Sequence, residues 1–483
     1  MGPTRLRRHG RPGTARATAP RHRPRWWSGL PRGALALAAA LLLTAPSSPA
    51  SSAATHHSTG SLAPEIVHTG TGPTGYKVTF RFKDPDANRV QIKGEWYFAD
   101  PYKLSALAGD KDTTIETPGL LPTKWGPVDI PIGSPNSSAA NWPVATMTRN
   151  SRTDVWSYTV PLPSGTFNYG FYVDCSSSTQ AGCTEVSDPS NPPWNQKSGG
   201  DAVGSVQSLS QVRVPSDPEF GTIDYSWQAP GRAHGRLSDI SYPTSSPIIP
   251  PGTNRLAVYT PPGYDPHRSK PYPTLYLFSG GDNETDWSTQ GALADILDHL
   301  ITTGQIQPMV VVMPNSLGET DDTTGYPAFD ANFTDHVLPY VESHYHVSTS
   351  PSQRAVGGQG FGGSIAMSLL FQDTDRFGYY GILSPGVIAP FTVPDASDIS
   401  ATQVTAIKKA GVFVGGGWQE PSVTPSGVHG AGHSYHARVV STLAEKGVGV
   451  TADFVNGGHE WFVWRLLIKD FLTRTAFFPH VTG

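Results

Sequence analysis

Arg354-Ala355-Val356-Gly357-Gly358-Gln359-Gly360-Phe361-Gly362-Gly363-Ser364-Ile365-Ala366-Met367-Ser368-Leu369-Leu370 changes character at its centre. Through Gly357 it reads as the end of a buried strand, and from Gly363 it reads as the start of an apolar helix. Between them Gly358, Gly360 and Gly362 alternate with Gln359 and Phe361. Glycines at this spacing let a strand turn sharply into a helix, with close backbone contact on both sides and a central residue in a conformation that strains other residues. The stretch predicts a strand, a tight turn with Gly360 at its apex, and a helix.

The same alternation of strand and helix continues on both sides of this stretch. Arg255-Leu256-Ala257-Val258-Tyr259-Thr260 reads as a strand that ends in the turn Pro261-Pro262-Gly263-Tyr264, and Thr274-Leu275-Tyr276-Leu277-Phe278 reads as a second. Gly291 to Thr303 fits an amphipathic helix, Met309 to Pro314 a fully buried strand, and Phe333 to His344 another helix. Repeated β-α units with near-continuous apolar strands predict an α/β domain over 236–478, with a doubly wound, mostly parallel sheet.

Upstream the pattern differs. Residues 60–215 carry short alternating segments at close spacing, the mark of an all-β sandwich. Tyr76 to Phe82 and Val90 to Phe98 alternate, and Trp156 to Val160 with Phe167 to Asp174 make a hairpin around Pro163-Ser164-Gly165. Trp96, Trp156 and Trp194 have two readings, as core residues or as platforms for a sugar ring. The stretch 216–235, with Pro218 and Pro230 and no sustained periodicity, reads as a linker.

Residues 1–54 hold nine arginines and no acidic residue, then the apolar run Ala34 to Ala45 and small residues through Ala54. That is the pattern of a cleaved secretory signal peptide. The apolar run is too short for the roughly 20 residues of a membrane-spanning helix, so no stable membrane anchor is expected; Arg7-Arg8 leaves a twin-arginine route open. Without this segment the chain has 26 basic and 39 acidic residues, a net charge near −13. Such a chain is a poor partner for nucleic acid or anionic membranes. The only cysteines, Cys175 and Cys183, suit one local disulfide in an exported protein, with two free thiols as the alternative.

From about His234 to Phe477 the order of motifs resembles the α/β-hydrolase-fold esterases of carbohydrate esterase family one, with their feruloyl, acetylxylan and enterochelin esterase, esterase D and mycolyltransferase relatives. The residues that carry the resemblance are Val258 to Tyr264, the strand into Gly280-Gly281, Asp286-Trp287, Val312-Met313-Pro314-Asn315, Leu338-Pro339-Tyr340-Val341-Glu342, Arg354-Ala355, and Gly457-Gly458-His459-Glu460-Trp461. Residues 60–215, by the order of their strands and Asp188-Pro189-Ser190-Asn191-Pro192, resemble the immunoglobulin-like modules that precede catalytic domains of glycan-processing enzymes, related to family 48 carbohydrate-binding modules.

The resemblance implies a nucleophile elbow at the apex, a triad in the order nucleophile, acid, histidine, and an oxyanion loop after the second strand. His459 follows the strand Val450 to Val455 and occupies the histidine's place; Glu420 follows Gly411 to Gly415 and occupies the acid's. The pocket would be framed by Ser279, Gly280, Gly281, Phe361 and Trp461. Two positions depart from the pattern. Gly360 stands where the G-x-S-x-G serine belongs, and the oxyanion strand ends Phe278-Ser279-Gly280-Gly281 where relatives carry His-Gly.

An activated hydroxyl, an imidazole to take its proton and an acid to hold that imidazole make up this chemistry. Gly360 cannot supply the first. Ser364 lies a helical turn further on, Ser384 matches a structural serine of the family, and Ser279 reads either as a turn serine or as a displaced nucleophile. His429, His433 and His436 lie in a Gly-rich stretch; His433 and His436 could share one helical face and bind a metal, but without a nearby acidic or thiolate partner the stretch reads as a solvated loop leading into the helix Ala437 to Glu445, so no metal and no cofactor is expected. Three readings stand: a secreted, catalytically degenerate esterase relative that binds a glycan, acyl ester or cell-envelope component; a true ester hydrolase or acyltransferase using water or a displaced serine; and a structural secreted protein.

Overall fold

A computed structural model of the 483-residue chain describes residues 61–101, 120–132, 144–197, 209–245, 251–280, 283–316, 325–386, 393–418, 420 and 435–478. The proposed signal segment, Gly281, His429 and His433 lie outside them.

The N-terminal part is two four-stranded antiparallel sheets. One runs Glu65–His68, Tyr76–Lys83, Val155–Pro161, Thr148–Asn150 in spatial order; the other runs Ser210–Val214, Gly165–Val173, Val90–Gly94, Val144–Thr146. Alternation turns one face of each inward. Phe80 meets Tyr169 with ring centroids 4.6 Å apart, and Phe82 meets Phe171 at 4.8 Å. Trp96 and Trp156 belong to this core, 1% and 6% exposed. Neither is a surface platform for a sugar. The expected strand Val90 to Phe98 stops at Gly94, where the chain turns to bury Trp96, and resumes as the short Phe98–Ala99. Cys175 and Cys183 form a disulfide with Cα atoms 5.7 Å apart.

Residues 215–235 contain no strand, yet they are packed against the following domain. Tyr225 and Trp227 are buried, Tyr225 lies 6.2 Å from Phe462, and Gly235 N–H donates to Asp298 Oδ1 at 2.8 Å. Two aromatic side chains make a strap of what reads as a linker.

The rest of the chain is built on one mixed sheet of eight strands: β1 (Arg236–Pro243), β2 (Thr253–Thr260), β3 (Thr274–Phe278), β4 (Val310–Pro314), β5 (Arg354–Gln359), β6 (Tyr379–Leu383), β7 (Gly411–Gly417) and β8 (Thr451–Val455). Their spatial order is β1-β2-β4-β3-β5-β6-β7-β8, antiparallel for β1–β2 and β2–β4 and parallel elsewhere. This is an α/β-hydrolase sheet. Helices α1 (Leu293–Thr302), α2 (Phe361–Gln372), α3 (Tyr435–Glu445) and α4 (Trp461–Arg474) cover it. Residues of α2 and α3 share one core cluster on one face, while α1 and α4 share the other. The buried β3 to β6 strands account for their unbroken apolar runs.

The strand order reverses around β3, whose neighbours are β4 and β5. Ligands of open α/β sheets bind outside the carboxyl ends of the strands at such a switch point. Here those ends lead into Ser279-Gly280 and Gly360.

Candidate active site

Gly360 joins β5 to α2 with φ 56° and ψ −120°. Glycine reaches this left-handed φ without the clash a Cβ brings. The turn is held by the Gly360 N–H donating to Leu383 O at 3.1 Å and the Gly386 N–H donating to Gly360 O at 3.2 Å. The helix also crosses β3 closely: a Cβ on Gly362 would lie 2.4 Å from Phe278 O. The glycine spacing thus serves a strand-to-helix elbow at the centre of the sheet.

His459 lies in the loop between β8 and α4. A Cβ placed on Gly360 would sit 3.3 Å from His459 Nε2 and 3.4 Å from Gly280 Cα. The imidazole therefore faces the point from which a nucleophile's side chain would grow. Its other nitrogen, Nδ1, is 3.5 Å from Glu420 Oε2, at the outer limit of a hydrogen bond. Trp464 packs edge-on against the ring, centroids 4.8 Å apart. Glu460 at the N-cap of α4 accepts from the Gly458 N–H at 2.9 Å, which ties down the loop on either side of His459.

Glu420 is fully buried just beyond β7. Its Oε1 accepts from Ser384 Oγ–H at 2.5 Å and from the Gly417 N–H at 2.9 Å. Burial opposes ionisation, but the hydrogen bond and charge of His459, the charge of His436 and the Ser384 hydroxyl outweigh it and hold the carboxyl below the ordinary glutamate range.

The structure brings Gly360, Gly280, His459 and Glu420 into one site. Phe361 and Trp461 flank it but are 7% and 6% exposed. Trp461 packs edge-on between Trp287 at 5.3 Å and Trp464 at 5.0 Å. Ser279 is buried, and its Oγ makes no hydrogen bond among the described residues. Ser364 turns its hydroxyl to Gly386 O, 3.0 Å away, and Ser384 is the partner of Glu420.

His436 differs from its reading as part of a solvated loop without an acidic neighbour. It is fully buried on α3, and its Nε2 is 3.7 Å from Glu420 Oε2. One carboxylate thus faces two imidazoles. No local spacing announces this, because 420 and 436 meet only when α3 docks on β7. Among the described residues, no group of three or more His, Cys, Asp or Glu side chains is placed to hold a metal ion. A Cβ on Gly416 would stand 2.6 Å from His436 Nε2. Gly416→Ala should therefore displace this imidazole and cost about 1–3 kcal/mol. A thermal melt that matches the parent would contradict the packing of His436 against β7.

Residues 250–475 match the protein family described as "Putative esterase". In sequence, the chain is 28% identical over 281 residues to an endo-1,4-beta-xylanase/feruloyl esterase of Xylanibacter ruminicola, covering 55% of this chain and 34% of that protein. It is 36% identical over 145 residues to endo-1,4-beta-xylanase Y of Acetivibrio thermocellus, covering 28% of this chain and 13% of that one. The chain thus spans 34% of the length of one curated relative and 13% of the other. Among solved structures it is similar to the enterobactin esterase of Shigella flexneri, at 17% identity and a TM-score of 0.45, over 86% of this chain and 96% of that one. The region similar to that family includes Ser279, Gly360, Glu420 and His459.

Proposed function

We propose that this chain is a secreted, degenerate member of the esterase family that binds an ester, or a related acyl or glycan ligand, without forming an acyl-enzyme. The observation that carries this reading is the aim of His459 Nε2, 3.3 Å from the Cβ position of a residue that has no side chain. A covalent route needs a hydroxyl there to attack the carbonyl and pass its proton to the imidazole. Gly360 has none, and Ser364 and Ser384 are turned to other partners. The remaining parts fit ligand capture: the first turn of α2, where an oxyanion hole of this type draws one N–H donor from the residue after the elbow, and Gly280 close by on the facing loop.

The His459–Glu420 pair favours a second reading, slow hydrolysis by water. His459 Nε2 would take a proton from water as the oxygen adds to the ester carbonyl, then return it to the departing alkoxide, leaving acid and alcohol. A triad lacking a member retains roughly 10³–10⁴-fold catalysis over water, so this route is weak. Export rests on the pattern of residues 1–54; among the described residues no helix is long and apolar enough to cross a membrane. We read the all-β part as an immunoglobulin-like module.

Methyl ferulate tests this reading. Saturation-transfer NMR should show it bound, while chromatography shows ferulate release no more than about 10⁴-fold above buffer. Turnover in the range of working enzymes, about 1–10³ s⁻¹, abolished by His459→Ala, would overturn it.

A further inference from the structure

Arg465, on α4, is 1% exposed and ties together parts of the chain that are far apart in sequence. Its Nε and one terminal nitrogen donate to Gln290 O at 3.0 and 2.5 Å; the other terminal nitrogen donates to Thr166 O at 2.9 Å, inside the N-terminal sandwich. Glu95 Oε2 stands 3.8 Å from the guanidinium and accepts from the Asn168 N–H and Nδ2 at 3.2 and 3.1 Å. Gln211 Nε2 closes the network, donating to Asn168 Oδ1 at 2.8 Å and Gln290 O at 2.9 Å. Glu95, Asn168 and Gln211 come from the sandwich, Gln290 from the segment after β3.

A guanidinium removed from water costs several kcal/mol unless its fork is met by acceptors and an opposite charge. All three nitrogens are met here. Burial still lowers the Arg465 pKa, against the opposing pull of Glu95, and burial raises that of Glu95, against the opposing pull of Arg465 and the Asn168 hydrogen bonds.

The helix that carries this network also frames the imidazole. Trp464, next to Arg465, packs against His459; Trp461, one turn back, packs against Trp287, whose Nε1–H donates to Phe278 O at the end of β3. Gln290, which receives two of the Arg465 hydrogen bonds, lies three residues after Trp287.

We propose that Arg465 is a positioning residue through which the N-terminal sandwich holds α4, and with it His459, so that the sandwich is a working part of the site. This rests on His459 being the site's imidazole, as proposed above. Displacing a catalytic group by about 1 Å from a distance can cost 10²-fold in rate, so loosening α4 should be visible in the chemistry of His459.

The test uses the full chain with Arg465→Met and Arg465→Lys, in the wild-type and Gly360→Ser backgrounds. In Gly360→Ser, fluorophosphonate labelling should slow by about tenfold or more with Arg465→Met. It should slow by less with Arg465→Lys, whose single ammonium cannot span both carbonyls. In the wild-type background, NMR of ¹³C-labelled histidine, with the His459 signal assigned through His459→Ala, should show its titration midpoint moved by Arg465→Met. If Arg465→Met does not fold, Arg465→Lys carries the same two readouts. Unchanged labelling and an unchanged His459 titration, whatever happens to the melting temperature, would reduce Arg465 to a structural residue and overturn the proposal. Should Gly360→Ser fail to label at all, the reading of the elbow fails, and the histidine titration still decides the role of Arg465.

Discussion

Gly360→Ser should raise ester hydrolysis by about a hundredfold or more over the wild-type chain. The serine's Cβ would stand 3.3 Å from His459 Nε2, with its hydroxyl directed into a site that already holds an imidazole and a carboxylate. The contact is tight, so His459 must retreat by a few tenths of an ångström. Its side chain is 30% exposed, and Nδ1 stands 3.5 Å from Glu420, which leaves it room to do so. The gain should stay well short of the roughly 10⁶-fold that a mature triad's nucleophile contributes, because the esterase pattern that the sequence resembles would also place His-Gly at Ser279-Gly280. A side chain at φ 56° costs about 1–2 kcal/mol, so the variant should melt lower than the parent. Gly360→Ala is the control: it carries the same Cβ and the same strain without the hydroxyl, and it should remain inactive. Equal activity of the serine and alanine variants on an activated acyl ester would show that the imidazole does not engage this position.

Glu420→Gln should be the most damaging change of similar volume in the site. The carboxylate accepts from Ser384 and the Gly417 N–H and faces two imidazoles. An amide nitrogen there would meet donors, and the variant should lose about 3–5 kcal/mol at pH 7. The sign of the pH dependence follows from the depressed carboxyl. Its folded pKa lies below the unfolded value of 4.5, so its stabilisation is fully present above about pH 4.5 and fades as pH falls through the folded value. The gap between wild type and Glu420→Gln should therefore narrow in acid. Glu95, whose carboxyl is raised by burial, contributes a slope of opposite sign, but it is common to both chains and cancels in the difference. Urea denaturation at pH 7 and at successively lower pH values measures the gap; a gap that stays constant would contradict an ionised Glu420.

The elbow was legible because its information is local. Alternating glycines between an apolar strand and an apolar helix state a close crossing, and the structure spells it out in the approach of Gly362 to Phe278 O. The two all-β sheets and the eight-stranded sheet follow from periodicities of the same short range. What was not legible depends on partners distant in sequence. Trp96 and Trp156 have a core reading and a platform reading until the facing sheet closes over them. Tyr225 and Trp227 lie in a stretch without periodicity, and only α4 and its neighbours reveal them as packing residues. His436 acquires an acidic partner when α3 docks, and Arg465 reaches Thr166 across 299 positions of chain. Polar networks of this kind leave no spacing rule for a sequence to obey.

In the proposed function, an esterase-like frame keeps its imidazole and acid around an elbow without a nucleophile. Intact-protein mass spectrometry after fluorophosphonate treatment reads out whether any serine of the chain is activated. The wild-type chain should gain no mass, and Gly360→Ser should gain a single adduct that peptide mapping places at position 360. A wild-type chain that takes up the reagent, at Ser279 or any other serine, would contradict the proposed function and identify the displaced nucleophile.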